Sequence, residues 1–189
     1  SYQTYLELAI NYYNRGLTKE AITILEIGPD ELINDIWKAY LNEDIEKLRN
    51  SISNKKIDFS FPFRRESIKV LEWAKKTSSS WKLDYLLSLN LWGKGRYTEE
   101  KNLLTDTKNT SENSLFYLNR GLMLRKLDID PKNDFEKAYE LDNKNWRVSK
   151  TLSDYHFNSM EYNLSNNILR KAYNNDKSNY IIGMGYVET

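Results

Sequence analysis

A pattern of small and large side chains recurs along the sequence and restricts what the chain can fold into. The pattern has a small residue, a large one at +3, a turn residue at +7, a small one at +12, an apolar one at +16 and a small one at +19. Its copies read Ala9, Tyr12, Gly16, Ala21, Leu25 and Gly28, then Ser88, Leu91, Gly95, Glu100, Leu104 and Thr107, then Ser153, His156, Met160, Ser165, Leu169 and Ala172. Small residues at these offsets let two antiparallel helices approach closely.

The spacing of the copies gives the period of the repeat. A less regular copy starts at Gly121, where Phe135 arrives two residues early, and the starting points Ser88, Gly121 and Ser153 are 33 and 32 residues apart. Another apolar position, Val187, follows 34 residues after Ser153. Periods of this length indicate stacked helical hairpins, each of which buries its apolar face only against its neighbours.

Composition agrees with an all-helical chain. Fourteen Tyr and five Trp accompany only seven Gly and three Pro, and apolar residues recur three and four positions apart, as in Tyr5, Leu8, Ala9 and Tyr12. Lys and Arg (28) balance Asp and Glu (27), so we expect no nucleic-acid partner. The sequence contains no apolar run of the roughly 20 residues that a membrane-spanning helix needs, and we expect no membrane insertion.

The repeat resembles the tetratricopeptide (TPR) family over most of the chain, most closely in 2–28, 81–107 and 146–175. The resemblance implies an all-α, right-handed superhelical solenoid of antiparallel hairpins (an α-α superhelix) with an irregular second and third repeat. Glu100 and Met160 depart from the usual residues. We predict one TPR-like domain over 1–189, a fragment of a longer protein, with hairpins at 2–28, 31–53, a half repeat at 64–77, then 81–107, 114–142, 146–175, and another beginning at 179–189.

Residues 31 to 80 are the least regular part of the pattern. A short hairpin precedes a loop that contains Phe59, Phe61, Pro62 and Phe63. These aromatic side chains could form a lip around a ligand, but clustered aromatic residues more often fill a gap in a core. We therefore predict that the loop plugs the place of a missing first helix.

No motif in the sequence indicates catalysis, and we predict no enzymatic activity, cofactor or metal. The single His156 falls at a core offset of its hairpin, which favours a packing role. No cysteine is present, so thiolate metal sites and cysteine nucleophiles are excluded. Gly93-Lys94-Gly95 lacks the remaining residues of a phosphate-binding loop and falls at a hairpin turn.

The resemblance also implies where a ligand would bind, because the first helix of each TPR hairpin lines the concave groove. Transferred to this sequence, the groove carries aromatic side chains and cations that suit an extended peptide or a sugar ring. Contact with a neighbouring domain or a twin subunit would equally explain them. The predicted binding residues are Tyr13, Tyr85, Leu89, Trp92, Arg125, Arg147, Lys150, Asp154 and Phe157.

A narrower similarity concerns function. The Phe-Pro-Phe-Arg loop before Val70-Leu71-Glu72, followed by Gly95-Arg96-Tyr97, looks like the C-terminal repeat region of large bacterial proteins that carry an upstream domain of unknown function. We predict a non-catalytic scaffold that mediates protein–protein or interdomain contacts, with a protein, a peptide or a neighbouring domain of the same polypeptide as partner. The alternative is an accessory domain of a carbohydrate-processing enzyme whose catalytic domain lies upstream.

Overall fold

A computed structural model of the chain describes residues 1–57, 60–105 and 112–188, without the side chains of Glu100, Val187 and Glu188. Phe59, Thr107 and Thr189, which the sequence analysis used, lie outside this part. The described residues form helices and contain no strand. The helices are α1 Tyr2–Tyr13, α2 Thr18–Ile27, α3 Leu32–Asn42, α4 Ile45–Asn54, α5 Glu66–Thr77, α6 Trp81–Trp92, α7 Tyr97–Thr105, α8 Ser114–Lys126, α9 Lys132–Leu141, α10 Trp146–Asn158, α11 Tyr162–Asn175 and α12 Tyr180–Glu188.

Local sequence signals set many of the helix ends. The side chains of Ser1, Asp44 and Ser80 each accept a hydrogen bond from a backbone N–H in the first turn of the helix that follows. Gly16 and Gly95 lie between paired helices with φ of 77° and 73°, a conformation that glycine adopts without steric cost. The turns predicted at these two glycines are therefore present.

The chain divides into two compact units, Ser1–Asn109 and Thr110–Thr189, and we describe each by itself. In the first unit, α1 pairs with α2, α2 packs against α3, α3 pairs with α4, and α6 pairs with α7. The predicted half repeat at 64–77 contains α5, which packs against both α3 and α6. The single domain and the hairpin boundaries predicted from the sequence remain predictions.

Small residues lie at the helix contacts of the first unit, as the repeat pattern predicts. Ala9 of α1 and Ala21 of α2 are both buried. A Cβ atom added to Gly28 would come within 3.0 Å of Tyr5 Cβ. Side chains larger than these would separate α1 from the segment it packs against.

A buried carboxylate ties α3 to the end of α4 in the same unit. Burial by itself would raise the pKa of Asp35. Hydrogen bonds from Lys38, Lys55 and Ser51 outweigh that effect, so the pKa of Asp35 is lowered. The Asp35–Lys38 contact is 2.6 Å and the Ser51 hydroxyl donates at 2.8 Å.

Lys82 of α6 donates at 2.6 Å to the carbonyl of Ile52, which satisfies an acceptor in the last turn of α4.

In the second unit, α8 pairs with α9, α10 packs against both, and α11 and α12 follow. A Cβ atom added to Gly121 of α8 would lie 2.5 Å from Phe135 Cε1 of α9. Beside this contact, Arg120 donates two hydrogen bonds to Asp134, at 2.6 and 2.8 Å. The irregular repeat copy therefore keeps the close helix approach that its glycine predicts.

Two polar contacts join α10 to α11. The hydroxyl oxygens of Ser153 and Ser165, both small positions of the repeat, are 2.8 Å apart and buried. His156 is also buried, as a packing residue should be, and its Nδ1 lies 2.6 Å from Glu161 Oε2. This hydrogen bond is the largest cause of the lowered pKa of Glu161.

The last helix is packed on one side and exposed on another. Ile182 is 0% exposed and packs in a cluster with Leu169 and Ala172 of α11, whereas Met184 is 60% exposed. Ile182 is covered because α12 packs against α10 and α11. Among the described residues, no helix has the length and apolar character to cross a membrane.

We predict that Gly121→Ala destabilises the second unit. The new methyl group would overlap the Phe135 ring, and overpacking of this kind costs about 1–3 kcal/mol, which the higher helix propensity of alanine offsets by only about 1 kcal/mol. Urea unfolding followed by circular dichroism measures the change. Gly185→Ala is the matched control in the same unit, because its Cβ would meet Leu169 Cδ1 at an ordinary 3.5 Å. Equal loss of stability in both variants would contradict the packing argument.

Candidate functional site

The predicted binding residues divide between the two units. Tyr13 lies on α1, while Tyr85, Leu89 and Trp92 lie on α6, and all four belong to the first unit. The remaining five belong to the second unit: Arg125 on α8, and Arg147, Lys150, Asp154 and Phe157 on α10. We therefore consider two separate sites.

The predicted residues of α10 form one stripe along the helix. Their spacing of three, four and three residues places them on the same face. Lys150 Nζ lies 2.6 Å from Asp154 Oδ1, and the Arg147 guanidinium lies 4.6 Å from the centroid of the Trp146 ring. Phe157 is 43% exposed, and its ring meets that of Tyr162 edge to face at 5.3 Å.

Three residues of the stripe line a cavity of about 130 Å³ between α10, α11 and α12. We call it the α10 cavity. Its lining residues are Lys150, Ser153, Asp154, Phe157, Ser165, Leu169 and Gly185. Ser153, Ser165 and Leu169 are packing positions of the repeat pattern, and Gly185 belongs to no predicted site. Their contribution depends on α12, whose position beside α10 the helical periodicity does not specify.

Arg125 is exposed on α8 and does not line the α10 cavity. Its guanidinium carbon lies 5.9 Å from the centroid of the Phe135 ring. A cation over an aromatic face is a favourable contact at an exposed site, worth about 0.5–1 kcal/mol. The structure thus places Arg125 in a packing contact within its own hairpin.

On α6, the three predicted residues differ in their exposure. Tyr85 is 3% exposed and its ring centroid lies 6.4 Å from that of Trp81, so it is part of the packed interior. Leu89 and Trp92 are half-buried. The Trp92 ring meets Tyr97 of α7 edge to face at 5.9 Å. A ligand on this surface would reach Leu89 and Trp92 but not the Tyr85 ring.

Tyr13 belongs to an aromatic cluster that crosses three helices. Its ring lies 5.7 Å from Trp37 and 6.4 Å from Tyr40, both on α3, and the Tyr40 ring lies 5.4 Å from Trp73 of α5. Beside the cluster lies a cavity of about 430 Å³, which we call the aromatic cavity. Its lining residues are Tyr13, Thr18, Tyr40, Leu41, Glu43, Ile45 and Trp73.

Of the residues that line this cavity, only Tyr13 was predicted to bind a ligand. Tyr40 falls within the predicted hairpin 31–53 and Trp73 within the predicted half repeat 64–77, and the repeat pattern does not link the two. The link exists because α5 packs directly against α3, where Trp37 Nε1 donates to Ser67 Oγ at 3.1 Å. No residue pattern within either helix signals that pairing.

The loop before α5 lies against α1. The Phe61 backbone N–H donates to the Tyr2 hydroxyl at 2.8 Å, and Asn14 Nδ2 donates to Glu66 Oε1 at 2.8 Å. Pro62 is buried, whereas Phe61 and Phe63 are each 43% exposed. Only the proline of the predicted plug is thus fully enclosed, and Phe59 lies outside the described residues.

A third recess, of about 560 Å³, lies among α5, α6 and α7. Leu87, Leu91 and Leu103 supply its apolar lining, together with the serine-rich turn at 78–80. Lys75 and Asp84 at its edge form an ion pair of 2.5 Å. No cluster of His, Asp and Glu that could hold a metal ion occurs within the described ranges of the chain.

Several solved structures resemble this chain in fold. A thermophilic TPR protein from Thermus thermophilus is similar over 100% of this chain and 98% of its own, with a TM-score of 0.54 and 15% identity. MamA from Desulfovibrio magneticus RS-1, from residue 41 to its end, is similar over 94% of this chain and 96% of its own, with a TM-score of 0.56 and 15% identity. PilF of Pseudomonas aeruginosa is similar over 96% of this chain and 79% of its own, with a TM-score of 0.58 and 18% identity. No family model and no curated protein matches the sequence.

This chain has the tetratricopeptide-repeat fold. The predicted all-helical, TPR-like fold class is thereby confirmed. The narrower similarity to bacterial proteins with an upstream domain remains a prediction. At identities of 15–18%, the likeness to these TPR structures extends to the fold and not to a ligand.

The loop that lies against α1 gives this chain an acid-sensitive contact. Hydrogen bonding from Arg64 lowers the pKa of Glu66 to about 2, below the ordinary value of about 4.3. The folded state therefore gains stability from ionised Glu66 above about pH 4.5 and loses it as the pH falls towards 2.

We predict that Glu66→Gln destabilises the chain at pH 7, because it removes the ion pair with Arg64. The loss should be only about 1 kcal/mol, since solvent screens this partly exposed pair. The difference from the parent chain should shrink as the pH is lowered from 4.5 to 3, as measured by urea unfolding at each pH. Glu46→Gln, on the exposed side of α4, is the control and should show neither effect. A constant difference across the pH range would contradict the assigned ion pair.

Proposed function

We propose that this chain is a non-catalytic helical-repeat scaffold that binds a protein or peptide. The observation that carries the proposal is the α10 cavity, which has apolar walls, a floor of small residues and a charged edge on one helix face. Recognition sites commonly combine a recess for one apolar anchor with polar groups that orient it. The residues we assign to binding are Arg147, Lys150, Asp154 and Phe157.

The size of the α10 cavity suits a single side chain. Its volume of about 130 Å³ is close to the roughly 150 Å³ of an apolar cavity that accommodates benzene. Phe157 and Leu169 supply apolar contact, while the absence of a side chain at Gly185 leaves room between α12 and α10. A leucine, methionine or phenylalanine side chain of a partner would fit this space.

The charges at the edge of the cavity would orient the partner. The Lys150–Asp154 pair is partly exposed, with side-chain exposures of 31% and 44%, and such a pair contributes only about 0–1 kcal/mol to stability. Exchanging it for contacts with a partner therefore costs little. The exposed Arg147 lies one turn before Lys150 and offers a further cation to an acidic residue of the partner.

The partner is either a separate protein or a neighbouring domain of the same polypeptide, since both can present an apolar anchor between charged residues. Arg125 on α8 is a proposed secondary contact in the second unit. Tyr13 on α1 and Leu89 and Trp92 on α6 belong to the first unit and are proposed as binding residues there. The alternative role, as an accessory to a carbohydrate-processing enzyme, gains no support from the α10 cavity, which is too small for a sugar ring with its hydroxyl groups.

We expect a displayed library of random peptides, selected against the whole chain, to enrich sequences with one large apolar residue beside charged residues. Phe157→Ala should weaken the enriched peptides about 30-fold, which corresponds to about 2 kcal/mol for the loss of an anchor contact. Lys150→Glu should alter the preferred charge beside the anchor. Isothermal titration calorimetry with a synthetic copy of an enriched peptide measures both effects.

Phe63→Ala is the matched control, because Phe63 is equally exposed at 43% but lies in the first unit. It should leave the affinity unchanged. If no peptide is enriched, or if Phe157→Ala and Phe63→Ala weaken binding equally, the assignment of the α10 cavity fails.

A further inference from the structure

The aromatic cavity has a wall of alternating ring faces and edges. Tyr13 meets Tyr40 with an angle of 75° between the ring planes, and Tyr40 meets Trp73 at 74°. Edge-to-face rings form slots between them instead of one flat platform. The cavity volume of about 430 Å³ lies within the range of about 300–1,000 Å³ that is usual for ligand sites.

The tyrosine hydroxyls of this wall can supply a hydrogen-bond donor. The hydroxyl oxygens of Tyr13 and Tyr40 are 3.5 Å apart, and either hydroxyl can donate to the other. That hydrogen bond uses one of the two O–H groups, so the hydrogen of the other hydroxyl is left to donate to a ligand.

Trp73 adds a second donor. It is half-buried, and its indole N–H donates no hydrogen bond to any residue in the described part of the chain. Thr18 contributes a hydroxyl group. Glu43, which follows α3 with a positive φ of 54°, is the one charged side chain among the lining residues. A ligand that fits this cavity therefore brings acceptors, flat apolar groups and a positive charge near Glu43.

A proline-rich segment in the polyproline II conformation has these properties. Its rings are apolar and fit between aromatic side chains, its carbonyl groups are free acceptors, and proline has no N–H that would need an acceptor. We propose that the aromatic cavity binds an extended, proline-rich segment of a partner protein, with a basic residue of that segment beside Glu43. The proposal builds on the proposed binding function but uses a separate cavity in the other unit.

Other ligand classes fit the cavity less well. A sugar ring stacks on an open, flat aromatic face, whereas these rings meet edge to face. A cationic group inserted between the rings would be repelled by Lys69, whose ammonium nitrogen already lies 5.9 Å from the centroid of the Tyr40 ring. The basic residue of the partner therefore belongs at the Glu43 side of the cavity and not among the rings.

The test is isothermal titration calorimetry of the whole chain with a capped peptide of one arginine followed by ten prolines. We expect saturable binding, and at least about tenfold weaker binding of the same peptide with alternate prolines replaced by alanine. Trp73→Ala should weaken the proline peptide by at least about tenfold. Tyr40→Phe, which keeps the ring and removes one donor, should weaken it about fivefold.

Trp81→Ala is the matched control, since Trp81 is also a half-buried helix tryptophan of the first unit but does not line the aromatic cavity. It should leave the affinity for the proline peptide unchanged. Circular dichroism establishes that each variant is folded. If Trp73→Ala does not fold, the affinity of Tyr40→Phe for the proline peptide decides the test.

Three outcomes would overturn the inference: no saturable binding of the proline peptide, equal binding of the alanine-substituted peptide, or binding that Trp73→Ala and Tyr40→Phe leave unchanged. Saturable binding of tetramethylammonium without binding of the proline peptide would assign the cavity to cations and would overturn it as well. In each case the selection of peptides for the α10 cavity tests the proposed function separately.

Discussion

The close approach of paired helices at small residues is the constraint on which the rest of this structure depends. Gly121 admits the Phe135 ring, and Ser153 and Ser165 meet directly between α10 and α11. A hairpin of two short amphipathic helices has too little apolar surface to be stable alone, so it must pack tightly on its neighbours. These contacts hold the paired helices together and so build the frame that surrounds both cavities.

Buried charged contacts join the two helices of the α3–α4 hairpin and of the α8–α9 hairpin. The carboxylate of Asp35 is held by Lys38, Lys55 and Ser51 in the first unit, and the Arg120–Asp134 pair serves the same purpose in the second. Removing these charges from water is costly, and their partners mainly offset that cost. Their contribution is therefore one of specificity, because a helix shifted along its neighbour would leave a buried charge without a partner.

The two cavities occur where helices meet in less regular ways. In the first unit, α5 packs on α3 after an irregular loop and leaves an aromatic-lined recess at the ends of several helices. In the second, the glycine-containing helix α12 lies over α10 and α11 with space beneath it. Surfaces that depart from tight packing can accept a side chain from another molecule, which is why we assign binding to them and not to the regular contacts.

The sequence by itself determined the helical hairpins and the turns at Gly16 and Gly95, because each depends on spacing within one or two neighbouring helices. The binding candidates along α10 came from the resemblance to the TPR family. Only the tertiary structure decided that Tyr85 is buried, that Ile182 is covered, and that Tyr40 and Trp73 share a cavity with Tyr13. The periodicity of a helix specifies which side chains share its face. It does not specify which other helix that face meets, and that pairing decides whether an aromatic ring becomes core or binding surface.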